Sequence, residues 1–322
     1  MQYQDVITVE GLRKRYKAVT AVDGVSFQVQ AGEIFGMVGP NGSGKTTTIE
    51  CIQDLRQPDE GRLQVLGLDP HQDVYALRQR IGSQLQSSSL PNRMRVEEAL
   101  DLFASFYRHA VDWRPLIDEL GLSDKRRAYF SQLSGGQKQR LFVALALINQ
   151  PEIIFLDELT TGLDPQARHA TWDLVREIRQ RGTTVFLTTH FMDEAEHLCD
   201  RVAILDHGQI IALDTPANLV SQLGMGARIL FELDGRHPSA PRGGAVEAAR
   251  AVFNPASIGA IDGVRRVEQE GDQVIVYGQG DGLVGAVIRS LEAARLPYHN
   301  FRTERADLED VFLALTGRAV RD

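Results

Sequence analysis

Ile34-Phe35-Gly36-Met37-Val38-Gly39-Pro40-Asn41-Gly42-Ser43-Gly44-Lys45-Thr46-Thr47 is the stretch that decides the fold of this 322-residue chain. Ile34–Val38 reads as a short apolar strand, and Thr46 onward reads as a helix. Between them, Gly39 to Thr46 fits G-x-x-x-x-G-K-[ST] in the strand–loop–helix setting that the motif requires. Glycines let backbone N–H groups turn inward without a Cβ clash. Those donors form an anion nest, helped by the positive end of the following helix. Lys45 is expected to reach the β- and γ-phosphates of a nucleotide, and the Thr46 hydroxyl to coordinate Mg²⁺.

Further along, Ile153–Leu156 and Thr184–Leu187 read as buried strands, and Gln166–Gln180 between them has helical periodicity with charged faces. Glu97–Tyr107 carries helical apolar spacing at Ala99, Leu100, Phe103 and Phe106. Strands alternating with helices predict an α/β fold, with a largely parallel sheet covered on both faces. The strand Ile153-Ile154-Phe155-Leu156 ends in Asp157-Glu158. Asp157 is placed to hold the Mg²⁺ hydration shell, and Glu158 to polarise the water that attacks the γ-phosphate. Leu133-Ser134-Gly135-Gly136-Gln137 precedes a helix beginning near Lys138. Ser134 with the N–H groups of Gly135 and Gly136 forms a second anion site there; a plain serine N-cap explains Ser and Gly but not the whole string through Gln137.

With these motifs in this order, the chain resembles the nucleotide-binding domains of ABC transporters over roughly residues 5–220. The resemblance implies a P-loop NTPase with a RecA-like core and a helical subdomain at about 87–150. It implies ATP and Mg²⁺ as cofactors, ATP hydrolysis as the activity, and catalysis by Glu158, His190, Lys45 and Gln86. Tyr16 in Arg13-Lys14-Arg15-Tyr16 matches the family's adenine-stacking aromatic. The loop Gly39, Pro40, Asn41, Gly42, Ser43, Gly44, Lys45, Thr46 and Thr47 holds the phosphates. Gln86 matches the glutamine that touches Mg²⁺ beside Thr46 and Asp157; Gln84 is the competing choice, and the offset from Ile81-Gly82 favours Gln86. Asp164 in Gly162-Leu163-Asp164 matches a loop that reaches across a dimer interface, and His190 matches the switch histidine at the γ-phosphate. A head-to-tail dimer, homo- or heterodimeric, follows, with each nucleotide between the Lys45 loop of one copy and the Ser134 loop of the other. One departure stands out. The family's proline after the catalytic glutamate is Leu159 here, so hydrolysis is expected to survive at an altered rate.

Composition agrees. Thirty-five basic and 43 acidic residues give a net charge of −8, which argues against a nucleic-acid partner held by phosphate contacts. Cys51 and Cys199 lie far apart with no C-x-x-C spacing, so neither zinc nor a disulfide framework is expected. No secretory signal is read at the N-terminus, and no apolar run approaches the roughly 20 residues of a spanning helix. If the protein works at a membrane, another chain must provide the span, and the resemblance implies a cytoplasmic subunit, peripheral on the inner face of the membrane through that partner.

The pattern divides the chain into an ATP-binding domain, 1–221, and an accessory α+β domain, 222–322. The second reads as strand Ala227–Glu232, helix Ala245–Val252, strands Val264–Glu268 and Gln273–Tyr277, helix Leu283–Ala294, strand Tyr298–Arg302 and helix Leu308–Leu315. That order matches a ferredoxin-like plan. The tail Ala306-Asp307-Leu308-Glu309-Asp310-Val311-Phe312-Leu313-Ala314-Leu315 is similar to the ending of subunits for drug, antibiotic and lipid export, which work with a separate ABC-2 type membrane protein. An amphipathic helix packed on its own domain is equally compatible. Alternatives are an ABC subunit with another substrate or direction, a soluble non-transport ABC ATPase, and a catalytically silent subunit. The intact Glu158 and His190 oppose the last.

Overall fold

The computed structural model describes residues 4–86, 88–222, 227–233, 253–280 and 282–317. The chain forms two compact units, one through Pro216 and the other from Ala217.

The first unit opens with β1 (Asp5–Tyr16) and β2 (Val19–Gln30), followed by β3 (Ile34–Val38), α1 (Lys45–Ile52), β4 (Glu60–Val65), α2 (Val74–Arg78) and β5 (Ile81–Gln84). Then come α3 (Val96–Ala104), α4 (Trp113–Glu119) and α5 (Gly135–Leu147). It continues with β6 (Ile153–Asp157), α6 (Pro165–Gln180), β7 (Thr184–Thr189), α7 (Met192–Leu198), β8 (Arg201–Asp206) and β9 (Gln209–Asp214). A six-stranded sheet runs in the order β5-β6-β7-β3-β8-β9. All its pairings are parallel except the final β8–β9 hairpin. Every residue of β3, β6 and β7 is buried, as strands covered on both faces must be, and this explains their unbroken apolar reading. Phe35 stacks on Phe27 at 5.2 Å and meets Phe186 at 5.5 Å, and Phe186 meets Phe155 at 5.7 Å. This aromatic chain ties the three central strands together.

A second sheet, β2-β1-β4, is antiparallel and lay outside the sequence expectations. Its strands are half-polar: along β1, Ile7, Val9 and Leu12 are buried while Glu10 and Gly11 are exposed. A register shift between Val9 and Leu12 breaks the period-2 pattern that would have marked it. Tyr16 pairs with Val19 across a turn in which Lys17 takes φ 53°, so the hairpin ends in an aromatic.

Helices α3, α4 and α5 pack on a core of their own. Val96, Leu100, Trp113, Ile117, Leu122, Leu141 and Leu145 are its buried members. Phe106, counted in the helical spacing, lies beyond the end of α3 and is exposed.

The second unit contains α8 (Pro216–Gln222), β10 (Ala227–Leu233), α9 (Pro255–Gly259), β11 (Val264–Glu270), β12 (Gln273–Gly278), α10 (Leu283–Ala293), β13 (Tyr298–Glu304) and α11 (Leu308–Thr316). The expected helix Ala245–Val252 lies outside the described residues. The sheet order is β11-β12-β10-β13, and every pairing is antiparallel. Ile229, Phe231, Val274 and Val276 pack with Leu283, Val287 and Leu291 of α10. Arg228 points to the opposite face, where it donates to Asp310 of α11 at 3.1 Å and pairs with Glu304.

The C-terminal part of α5 approaches β5 at backbone distance. A Cβ at Gly82 would fall 2.0 Å from the Ala146 carbonyl oxygen, a backbone atom that cannot step aside. Gly82→Ala is therefore expected to lower stability by about 1–3 kcal/mol, the usual cost of overpacking. Denaturant unfolding checks this; a midpoint equal to the parent's contradicts the close helix–strand approach.

Candidate functional site

The site lies beyond the carboxyl ends of β3, β6 and β7, where open parallel sheets present ligand sites. The loop after β3 needs glycine for two separate reasons. Gly39 and Gly44 have φ of 155° and 109°, a region that side chains avoid. Moreover, a Cβ on Gly39 would lie 2.1 Å from the Leu205 carbonyl oxygen, and one on Gly44 2.3 Å from that of Ala21. The loop curls round Lys45, which is 4% exposed. The Lys45 ammonium donates to the carbonyls of Gly39 and Pro40 at 2.7 and 3.1 Å. Burial lowers its pKa, against the pull of Glu158 and Asp157. Ser43 in the same loop is buried, and its hydroxyl has no partner among the described residues.

Strand β6 delivers the acids. Asp157 accepts a hydrogen bond from the Thr188 hydroxyl of β7, and the Thr46 hydroxyl lies 3.5 Å away. Burial raises the Asp157 pKa, partly offset by the Thr188 bond. Glu158 leaves the strand with φ 50°, a left-handed conformation costing on the order of 1–2 kcal/mol in a non-glycine residue. Its N–H donates to the Thr188 carbonyl at 3.0 Å and the Thr188 hydroxyl at 3.2 Å. Leu159 is buried. With Leu rather than Pro there, no ring restricts the backbone of Glu158.

Three other chain segments converge on the Glu158 carboxylate. Gln86 donates to Oε2 at 2.7 Å. The Lys45 ammonium stands 3.9 Å from Oε1. His190 Nδ1 stands 3.5 Å from Oε1, outside good hydrogen-bond geometry, and has no bonded partner among the described residues. Gln84, the competitor of Gln86, is buried, and its amide donates to the Leu85 carbonyl. A cavity of about 440 Å³ joins the Lys45 loop to Tyr16, Gln86 and Glu158.

Ser134, Gly135, Gly136 and Gln137 are not part of that cavity's lining. Ser134 caps α5, accepting from Gln137 N–H at 3.3 Å while the Gln137 side chain accepts from Ser134 N–H at 3.0 Å. This is a reciprocal capping box. Gly136 instead lines a separate cleft of about 250 Å³ with Arg140, Asp164 and Gln166. Asp164 caps α6 through Ala167 N–H at 3.0 Å. Within one chain, then, the lysine-bearing and serine-bearing nests open into different spaces.

Sequence reasoning did not single out Thr188, Phe191 or Glu194. Thr188 holds both Asp157 and Glu158; the hydroxyl doublet Thr188-Thr189 at the end of an apolar strand was the available signal. Phe191 carries the His190 ring at 4.1 Å and the Arg168 guanidinium at 4.3 Å. Glu194, 2% exposed, takes the Trp172 indole N–H at 3.0 Å.

The donors are the right kind for Mg²⁺: the Thr46 hydroxyl, the Asp157 carboxylate and the Gln86 amide oxygen are hard oxygen ligands. Among the described residues no three His, Cys, Asp or Glu side chains gather as a metal cage. Cys51 and Cys199 are free and buried. No helix among the described residues is long and apolar enough to cross a membrane.

A glycine nest with a buried lysine, a strand-end acid pair and a second capped nest define an ATP-binding cassette, and the chain belongs to the ABC transporter ATP-binding family. The family profile described as "ABC transporter" matches residues 22–161. The chain is 38% identical to the "Nod factor export ATP-binding protein I" of Ralstonia nicotianae, over 98% of this chain and 95% of that one. It is 37% identical to the "Daunorubicin resistance ATP-binding protein DrrA3" of Streptomyces coeruleorubidus, over 97% and 96%. Among solved structures, an "ATP binding subunit of ABC transporter" superposes with a TM-score of 0.62 at 29% identity, covering 68% of this chain and 93% of that one. The dimeric cassette MJ0796 superposes at 0.58 and 27% identity, covering 65% and 98%. The protein is accordingly an ATP-binding, ATP-hydrolysing subunit of an ABC transporter.

Burial raises the Glu194 pKa above its ordinary 4.5, against hydrogen bonds that lower it. A raised folded-state pKa means that ionising Glu194 favours the unfolded chain. Its contribution is complete below pH 4.5 and is lost as pH climbs through the raised value. Glu194→Gln keeps an acceptor for Trp172 and removes the ionisation. The variant's melting temperature is expected to gain on the parent's as pH rises above the ordinary carboxylate range. Parallel melting curves across pH contradict this.

Proposed function

We propose that this chain is the motor of an exporter for drug-like, antibiotic or lipid molecules, working as a dimer on a separate polytopic membrane subunit of the ABC-2 type. The convergence of Lys45, Gln86 and His190 on the Glu158 carboxylate is the observation that carries the motor reading. Export is supported by the relatives, one named for Nod factor export and one for daunorubicin resistance. Dimerisation is supported by the separate openings of the two nests and by the dimeric solved cassette. The absence of a spanning helix among the described residues is compatible with docking on the inner membrane face.

Each side chain has a task in this reading. Tyr16 stacks on the base. The Lys45 loop binds the β- and γ-phosphates, and the Lys45 ammonium exchanges its grip on the Gly39 and Pro40 carbonyls for phosphate oxygen. Thr46, Asp157 and Gln86 hold Mg²⁺, which when bound offsets phosphate charge. Glu158 accepts a hydrogen bond from the attacking water and orients it in line with the γ-phosphate, while His190 donates to that phosphate. Ser134, Gly135, Gly136 and Gln137 of the second copy close over the nucleotide, with Asp164 at the seam. Such a site works by positioning and preorganised charge rather than covalent chemistry.

Glu158→Gln is expected to keep ATP binding and lower turnover by about 10²–10³, the scale for loss of one preorganised group. Phosphate release from purified protein measures it; normal turnover removes Glu158 from its role. Lys45→Ala is expected to weaken ATP binding about tenfold or more, as befits the loss of charge-assisted hydrogen bonds. An unchanged dissociation constant contradicts the phosphate assignment of the loop.

A further inference from the structure

The ring of Tyr16 is held by two cations that the motor reading leaves unused. The Lys14 ammonium stands 5.8 Å from the ring centroid, and the Arg56 guanidinium carbon 5.2 Å. Both lie within the range of cation–π attraction. Neither cation is loose. Lys14 donates to Asp59 at 2.8 Å, and the second carboxylate oxygen of Asp59 accepts from the Arg15 N–H at 2.7 Å. Arg56 Nε donates to Glu50 at 2.6 Å. The two tethers come from different places: Asp59 precedes β4, which pairs with β1, and Glu50 stands in α1, the helix that starts at Lys45. Tyr16 lines the cavity with Lys45, Asn41 and Gln86, whereas Lys14 and Arg56 do not.

We infer that Arg56 and Lys14 are positioning residues for the nucleobase, fixing the Tyr16 ring as a stacking platform and tying its place to the helix that begins the phosphate loop. The inference rests on Tyr16 as the base platform. Tyr16 is 37% exposed, at the tip of a hairpin, where an aromatic with no support would sample several rotamers. Holding it in one orientation lowers the ordering cost of stacking. Through Glu50, the position of the platform is set by α1, so base and phosphates are referred to one rigid element.

The experiment compares ATP with inorganic tripolyphosphate, which shares the phosphate contacts and lacks the base. Both are bound to the full-length protein and its Tyr16→Ala, Arg56→Ala, Arg56→Lys and Glu50→Gln variants. Arg56→Ala is expected to weaken ATP about fivefold, which is about 1 kcal/mol, while tripolyphosphate affinity holds. Glu50→Gln is expected to weaken ATP in the same direction, and Arg56→Lys to recover part of the loss. If Tyr16→Ala weakens ATP selectively but Arg56→Ala and Glu50→Gln do not, the positioning role is overturned and the platform stands. If Tyr16→Ala leaves ATP affinity unchanged, the platform itself falls. Equal loss of ATP and tripolyphosphate in Arg56→Ala overturns the inference in favour of a general structural role.

Discussion

A carboxylate 9% exposed, facing a buried ammonium beyond the end of a fully buried strand, is the constraint on which this molecule depends. Glu158 and Lys45 are both largely buried, and partners elsewhere in the chain answer each. Gln86 answers the Glu158 carboxylate from the loop after β5, the Thr188 hydroxyl of β7 accepts from the Glu158 N–H, and the Gly39 and Pro40 carbonyls answer Lys45 from the loop after β3. Every one of these groups sits at or just beyond the end of a parallel strand, and strand register sets their spacing. Leu156 lies beside Leu187 and Asp157 beside Thr188, while Val38 lies beside Thr189. A one-residue slip would turn Asp157 or Thr188 away from the site. The aromatic run Phe27–Phe35–Phe186–Phe155 behind the strand ends is what makes such a slip costly.

Lys45 rests on backbone carbonyls, Ser43 keeps a buried hydroxyl without a partner among the described residues, and His190 stands near Glu158 without bonding it. In the proposed reading, a polyanion entering the nest gives Lys45 and Ser43 charged partners in place of backbone carbonyls and none. The serine-bearing nest is in a different condition. Its capping box is complete within the chain, and its cleft is separate from the lysine nest; in the proposed dimer a second copy brings it there.

Much of this was legible in the sequence because chemistry and period coincided. Ile34–Val38, Ile153–Leu156 and Thr184–Leu187 are too short and too apolar for surface helices, and the structure makes each part of a buried parallel strand. Gly39 and Gly44 announced backbone that no side chain tolerates. The choice of Gln86 over Gln84 rested on spacing alone, and only geometry shows which amide meets Glu158. The β1–β2–β4 sheet was not legible, since its alternation is broken by a register shift and its strands carry charge on the open face. Thr188 and Phe191 escaped for another reason. Their importance lies in what they touch across strands, and a single chain read in order does not display that. The same holds for Lys14, Arg56, Glu50 and Asp59, four ordinary surface charges by sequence that the fold gathers around one tyrosine.

The central claim is that two nests on one chain become one nucleotide site only between two copies. Light-scattering mass of the Glu158→Gln protein, with and without ATP, tests it most directly. The account predicts a monomer in the absence of nucleotide and a dimer once ATP is bound and cannot be cleaved. A protein saturated with ATP that keeps the mass of one chain contradicts it.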